Sequence, residues 1–203
     1  MPGNDGLVIA LLGAGRSSRF GREDKLLAML GDRPLIAWAA QAGLGIPAAH
    51  HLLVSGPDAR LAAACPGYVL LPNPHPEDGL ASSLRIAAGA ARGLGTTALL
   101  VLLADMPFVD AGHLAAMVTQ WDRDGSQPLF SRRPGGPPQP PALFPAAFLP
   151  MIEALQGDRG ARALAGDALI VETQADRMID IDTPADLARA ADYLRALDPG
   201  EQT

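Results

Sequence analysis

The chain has 203 residues, a length that suits one domain. Hydrophobic residues make up 48% and mean hydropathy is +0.14, enough apolar material for a core, so disorder is excluded as the main reading. Lys and Arg total 16 against 22 Asp and Glu, a formal charge of −6. That argues against a nucleic-acid binder working through an overall basic field.

No apolar run approaches the ~20 residues of a membrane helix. The start, Met-Pro-Gly-Asn-Asp-Gly, has no positive charge, so no signal peptide is expected and the chain reads as cytoplasmic. Cys65 is the single cysteine, which excludes an intramolecular disulfide and a cysteine-built metal site. Four histidines, His50, His51, His75 and His113, show no zinc spacing.

In chain order, Leu7–Leu12 is a continuous apolar run ending in Gly. Such runs mark strands buried on both faces of a parallel sheet. The pattern recurs at His51–Ser55, Tyr68–Leu71 and Ala98–Ala104. Helical periods lie between, at Pro34–Gly43, Pro57–Ala64, Leu80–Arg92 and Asp110–Arg123. Leu30–Pro34 reads as a turn. Arg132–Pro141 is too rich in Pro and Gly for a regular element; it reads as a surface loop or the rim of a site. Strands return at Ala142–Phe144 and Ala168–Glu172, and helices at Ala147–Leu155 and Thr183–Leu197. Strands alternating with helices imply βαβ units and a single three-layer α/β/α domain over residues 1–203, its sheet mostly parallel. Residues 1–6 and 198–203 read as disordered tails.

The first strand runs into Gly13-Ala-Gly-Arg-Ser-Ser-Arg-Phe-Gly-Arg-Glu-Asp-Lys25. Glycines after a buried strand let backbone N–H groups approach an anion. Arg19 and Lys25 add two cations, a combination suited to phosphate. It is not a P-loop, because five residues separate Gly15 from Gly21 and no Lys follows Gly21. It narrowly misses the dinucleotide fingerprint, with Ser18 in place of the third Gly and no acid about 20 residues on at the end of a second strand. An NAD(P) oxidoreductase is the losing reading.

That loop resembles the signature of the nucleotidyltransferase family that includes molybdenum cofactor cytidylyl- and guanylyltransferases. Gly13 stands where Ala is usual and Phe20 where Met is usual, and one extra residue precedes Lys25. The resemblance covers about residues 7–194. It extends to Asp78–Arg85, to Leu103–Phe108, to Gly157–Arg162 and to Asp180–Asp186. One departure is Gln139-Pro140 where the family often has Gly-His. The resemblance implies a Rossmann-like nucleotide-diphospho-sugar transferase fold. It also implies nucleotidyl transfer, in which an acceptor phosphate attacks the α-phosphorus of a nucleoside triphosphate and pyrophosphate leaves. Gly13, Ala14, Gly15, Ser17 and Arg19 are expected to hold the nucleotide's phosphates, with Lys25 on the α-phosphate. Ser83 is implied at the base or ribose, and Arg162 at the acceptor. Ala14 and the Gly79…Ser83-Leu84 element look like the cytidine branch. CTP is therefore expected over GTP, with molybdopterin or its molybdenum-loaded form as acceptor. The product would serve a molybdenum hydroxylase. Sugar or polyol phosphates are alternative acceptors.

Asp105 follows the Ala98–Ala104 run, where α/β sheets place their ligand crevice. An acid there suits Mg²⁺, which takes one or two carboxylates plus phosphate oxygens. The alternative is a cap on the helix near Asp110. The resemblance implies Asp182 as the second metal ligand; read alone, it is an N-cap before Thr183-Pro184. Asp180 is the reserve, on the same face if the segment is extended. Asn73 follows a strand end and suits either a nucleotide contact or a turn. A nucleotide-binding carrier without catalysis would keep the loop but need no metal pair.

Overall fold

The computed structural model describes residues 6–13, 20, 24–155 and 164–197. Nine strands and six α-helices are found among them, in an order that alternates through most of the chain. The strands are β1 (Leu7–Gly13), β2 (Met29–Leu30), β3 (Arg33–Pro34), β4 (His50–Ser55), β5 (Val69–Pro72), β6 (Ala98–Leu103), β7 (Leu129–Arg132), β8 (Gln139–Pro145) and β9 (Leu169–Glu172). The helices are α1 (Leu35–Leu44), α2 (Ala59–Ala64), α3 (Leu80–Gly93), α4 (Ala111–Asp124), α5 (Leu149–Glu153) and α6 (Pro184–Leu197).

Seven strands form one sheet in the order β5-β4-β1-β6-β8-β7-β9. Only β8 runs against its neighbours; the β1, β4, β5, β6 block and the β7–β9 pair are parallel. This is the expected mostly parallel α/β/α fold. β1 lies at the centre and every residue of it is buried. Its side chains alternate between two cores. Leu7, Ile9 and Leu11 pack on the face covered by α1, α4 and α6. Val8, Ala10 and Leu12 pack on the face covered by α3 and α5. Burying each of the larger side chains contributes ~1.5–3 kcal/mol. This explains the unbroken apolar run: neither face meets water.

Two expectations need correction. Residues 132–141 do not form only a loop. Gln139, Pro140 and Pro141 begin β8, and a second strand, β7, precedes them. The prolines are tolerated because the pairing shifts register between Phe130 and Ser131, so the ladder does not need their missing donors. The Ser131 hydroxyl donates instead to the Pro141 carbonyl at 2.8 Å. Gly6, expected in the N-terminal tail, is held in the fold: its carbonyl accepts a hydrogen bond from the Thr97 amide at 2.8 Å. The rest of the expected tails, residues 1–5 and 198–203, lies outside the described residues. The Leu30–Pro34 turn is a small hairpin of β2 and β3 closed by Gly31, whose φ of 66° favours glycine. Among the described residues no helix is long and apolar enough to cross a membrane.

The parallel strands set up a row of residues along one edge of the sheet. Gly13 pairs with Ser55, and Ser55 with Pro72. The Asn73 amide donates to the Ser55 carbonyl at 2.7 Å, and the Ala104 amide to the Leu12 carbonyl at 3.0 Å. Asn73, Ser55, Gly13 and Asp105 therefore follow one another across β5, β4, β1 and β6. Three strand spacings make that row about 14 Å long.

Candidate active site

At the β6 end of this row three carboxylates meet. One oxygen each from Asp105, Asp180 and Asp182 lies within 4.8 Å of the others. Asp105 comes from the turn after β6. Asp180 and Asp182 come from the segment before α6, which is tied to that turn by the Ile181 amide donating to the Asp105 carbonyl at 3.0 Å. Side chains alternate along such an extended segment. Ile181 is fully buried in the core, so its two acidic neighbours face the other way, toward Asp105.

Asp182 does not cap α6. That role belongs to Thr183 and Asp186, which form a capping box. The Asp186 amide donates to Thr183 Oγ1 at 3.1 Å, and the Thr183 amide donates to Asp186 Oδ2 at 2.7 Å. The cap on α4 is Asp110, whose Oδ1 accepts from the His113 amide at 2.8 Å. Asp105 is thereby spared the capping duty considered for it from sequence, as Asp182 is spared its own. Arg177 pairs with Asp110, Tyr193 donates to Asp176, and Phe108 meets Tyr193 edge-on at 4.8 Å. These contacts clamp the two acidic segments together.

Lys25 enters from the opposite side. Asp24 caps a short 3₁₀ turn over Lys25–Leu27, its Oδ1 accepting from the Leu26 amide at 2.9 Å. The turn buries Lys25 to 6% exposure. Its ammonium donates to Asp105 Oδ2 at 2.8 Å, to the Ile181 carbonyl at 2.9 Å and to Asp182 Oδ1 at 3.0 Å. Burial pulls the amine toward neutrality, but the charges and hydrogen bonds of Asp105 and Asp182 outweigh it and raise its pKa above the ordinary 10.5. Desolvation of its carboxyl, then the charges of Asp105 and Asp182, push Asp180 up to about 7. Since Asp180 is solvent-exposed as a residue, the crowding of like charges is the firmer of these causes.

At the β5 end the polar residues are neutral and closed. Asn73 Nδ2 donates to Ser82 Oγ at 2.8 Å and to Ser83 Oγ at 3.0 Å, while its Oδ1 accepts from the His75 amide at 2.9 Å. Ser82 Oγ donates onward to the Gly79 carbonyl at 2.9 Å. All three side chains are buried. Asn73 and Ser83, expected to touch the nucleotide, are thus brought together, and their hydrogen bonds hold the first turn of α3. Ser82, which had less support from sequence, is a full member.

Gly13 ends β1, and a Cβ there would sit 3.2 Å from Leu26 and 3.5 Å from Ala104 and Ile36. Its bareness serves close packing beneath the site. Ala14, Gly15, Ser17, Arg19, Asp158 and Arg162 lie outside the described residues. Cys65 is buried and its thiol is pushed up to about 12 by burial, consistent with an inert role. A cavity of about 610 Å³ lies between α1, the turn after β6 and α6, with Trp38, Phe108 and Tyr193 in its wall. No candidate residue lines it, so donor chemistry rather than cavity size marks the site.

Sequence reasoning ranked Asp180 only in reserve and missed the Ile181 carbonyl. The Asp-x-Asp alternation after the Gln174–Met178 turn was the available signal.

A family model described as the MobA-like NTP transferase domain matches residues 9–174. A molybdenum cofactor guanylyltransferase of Rhodobacter capsulatus is 31% identical over 191 residues, covering 91% of this chain and 95% of the relative. One from Cereibacter sphaeroides is 32% identical over 201 residues, covering 94% and 96%. Among solved structures, a nucleotidyl transferase from Methanothermobacter superposes with a TM-score of 0.79 at 19% identity, covering 95% of this chain and 99% of the other. The strand order, the acidic edge beside Lys25 and these matches agree: the chain belongs to the MobA-like NTP transferase family.

Proposed function

We propose that the protein transfers a nucleoside monophosphate from a nucleoside triphosphate to a molybdopterin-type phosphate, releasing pyrophosphate. The observation that carries this reading is the carboxylate trio with Lys25 at the carboxyl edge of the sheet. A purely nucleotide-binding carrier has no use for three convergent acids.

The donor set fits a hard divalent cation such as Mg²⁺: all three groups offer carboxylate oxygens, and the Lys25 ammonium already sits among them as a stand-in cation. Asp105, Asp180 and Asp182 are the residues that hold it, and a bound cation supplies charge neutralisation on phosphate oxygens. No protein nucleophile is required, because the acceptor's phosphate oxygen is already ionised. That oxygen forms a bond to the α-phosphorus in line while the α–β bridging bond breaks. The chain's task is positioning and charge stabilisation. The substrate in this reading lies along the row from Asn73 to Asp105, with its base toward α3, its triphosphate over the end of β1 and its reacting phosphorus beside Lys25. In this reading Lys25 stabilises charge on the α-phosphate, and Arg19 with the Gly13–Gly15 amides and Ser17 holds the outer phosphates. Arg162 receives the acceptor.

Guanosine is the favoured base. The Rhodobacter capsulatus and Cereibacter sphaeroides relatives, each matched over more than nine-tenths of this chain, are named guanylyltransferases, whereas the cytidine reading rests on Ala14 and the Gly79…Ser83-Leu84 element. The test is pyrophosphate release from each of the four nucleoside triphosphates with Mg²⁺ and molybdopterin. Release with GTP, dependent on molybdopterin and lost in Asp105→Asn, supports the full reading. Release with CTP restores the cytidine branch. Release that needs a sugar or polyol phosphate instead changes the acceptor and keeps the chemistry. No release with any pair overturns the transferase.

A further inference from the structure

Lys25 is the chain's one lysine; the other 15 of its 16 basic residues are arginines. A general demand for positive charge is met everywhere else by guanidinium, so position 25 has a demand that guanidinium does not meet. The geometry shows what it is. Asp105 Oδ2, Asp182 Oδ1 and the Ile181 carbonyl surround the ammonium at 2.8–3.0 Å, from two separate segments of the chain. An ammonium is a compact point charge with three donors directed around one centre, whereas a guanidinium is a planar fork. Three oxygens gathered around one small cation are also part of what a hard metal ion takes, with water and phosphate oxygens completing its shell. Two of those oxygens belong to the carboxylates that converge with Asp180.

From this we infer that the Lys25 ammonium and the divalent cation exchange at one position. Lys25 is the built-in counter-ion of the carboxylate trio, and cation entry releases it toward the triphosphate. The inference rests on the reading of the trio as the cation site. It deepens that reading in a specific way. Lys25 hydrogen-bonded to Asp105 and Asp182 has its donors committed to carboxylates, and the same donors are wanted on the α-phosphate. The exchange makes the two uses successive. It keeps the acids from repelling one another before substrate arrives, and it delivers a stabilising charge only once their own charge is otherwise balanced. A free divalent cation must then compete with a tethered ammonium, so the protein binds the metal weakly alone and more tightly together with a triphosphate that gives the ammonium a new partner.

The single lysine makes the test direct. Protein labelled with lysine carrying ¹³C at Cε gives one lysine resonance. It is titrated with Mg²⁺ in the absence of nucleotide, while Mn²⁺ occupancy is followed in parallel by electron paramagnetic resonance. The exchange predicts that the Lys25 resonance shifts and that its shift saturates with cation binding. A resonance that stays put while the cation site fills overturns it. In a second arm, Lys25→Met is expected to bind Mn²⁺ about tenfold or more tightly than the unaltered protein, because the competing charge is gone. Equal or weaker binding overturns the exchange while leaving the trio as the cation site. Asp105→Asn separates the two claims: if it binds Mn²⁺ as well as the unaltered protein does, the reading of the trio itself fails. Should Lys25→Met not fold, the labelled-lysine titration of the unaltered chain still decides.

Discussion

The two polar clusters at the carboxyl edge of the sheet stand about 14 Å apart across β1 and behave in opposite ways. At the β5 end, Asn73, Ser82 and Ser83 are buried and neutral, and both Asn73 donor hydrogens are used within the cluster. At the β6 end, three acids converge, the Lys25 ammonium pairs with two of them, and Asp180 and Asp182 face solvent. A satisfied neutral network adds rigidity and asks nothing of a ligand. A cluster with surplus negative charge stores unfavourable energy that a cation relieves. Under the proposed function, the difference separates a part that shapes the site from a part that performs chemistry.

Substitution at the acidic end gives the largest effect on turnover. Asp105→Asn and Lys25→Ala should each lower the rate of pyrophosphate release by ~10²–10³-fold, the usual cost of removing one preorganised charge stabiliser. The urea midpoint of Asp105→Asn should move less than its rate suggests, since losing that charge also relieves repulsion with Asp180 and Asp182; that of Lys25→Ala should fall, since the acids lose the buried cation between them. Near-normal turnover in either variant would remove that residue from the chemistry.

Asn73→Ala should invert the pattern. It orphans the His75 amide and strips the partner from Ser82 and Ser83, a loss of about 1–3 kcal/mol measured by urea unfolding. The carboxylate trio is untouched, so the maximal rate should hold while the Michaelis constant for the triphosphate rises, because the first turn of α3 is less firmly held. A variant with full stability and a collapsed maximal rate would instead make Asn73 a direct participant.

Much of this contrast was legible in the chain itself, and the parts that were not share a cause. The parallel centre of the sheet followed from unbroken apolar runs, because a strand buried on both faces has no polar alternation to hide it. Asp105 followed from its place after such a run. The surroundings of Asn73 and Asp182 did not follow. Each sits where local chemistry permits both a turn or cap and a ligand contact, and the side-chain partners that the fold brings to each come from another element. For Asp182 that partner is Lys25, 157 positions away; for Asn73 it is the pair of serines on α3. β8 was hidden for another reason. Pro140 and Pro141 argue against a strand, and the register shift opposite them that makes room is a property of β7.

The smallest effect expected comes from a polar contact remote from both clusters, and it tests whether stability and chemistry are separable in this fold. His113, in the first turn of α4, is buried, and its Nε2 lies 2.7 Å from Ser131 Oγ on β7. Burial, the dominant cause, and the nearby Arg177 charge lower its pKa from the ordinary 6.5, against an opposing pull from Asp110. The unfolded chain therefore takes up this proton before the folded one does. The contribution to stability is complete above about 6.5 and is lost as pH falls below it. Urea midpoints at pH 7.5 and 5.5 should show a decline in the unaltered protein that is shallower in His113→Gln, which lacks this buried imidazole. Pyrophosphate release at pH 7.5 should be the same for both, because Ser131 and His113 brace β7 against α4 and touch neither polar cluster. An equal decline in the two proteins would assign the acid sensitivity to other groups. A loss of turnover in His113→Gln at pH 7.5 would mean that the β7–α4 packing reaches the acidic edge, through the Asp110–Arg177 pair that clamps it.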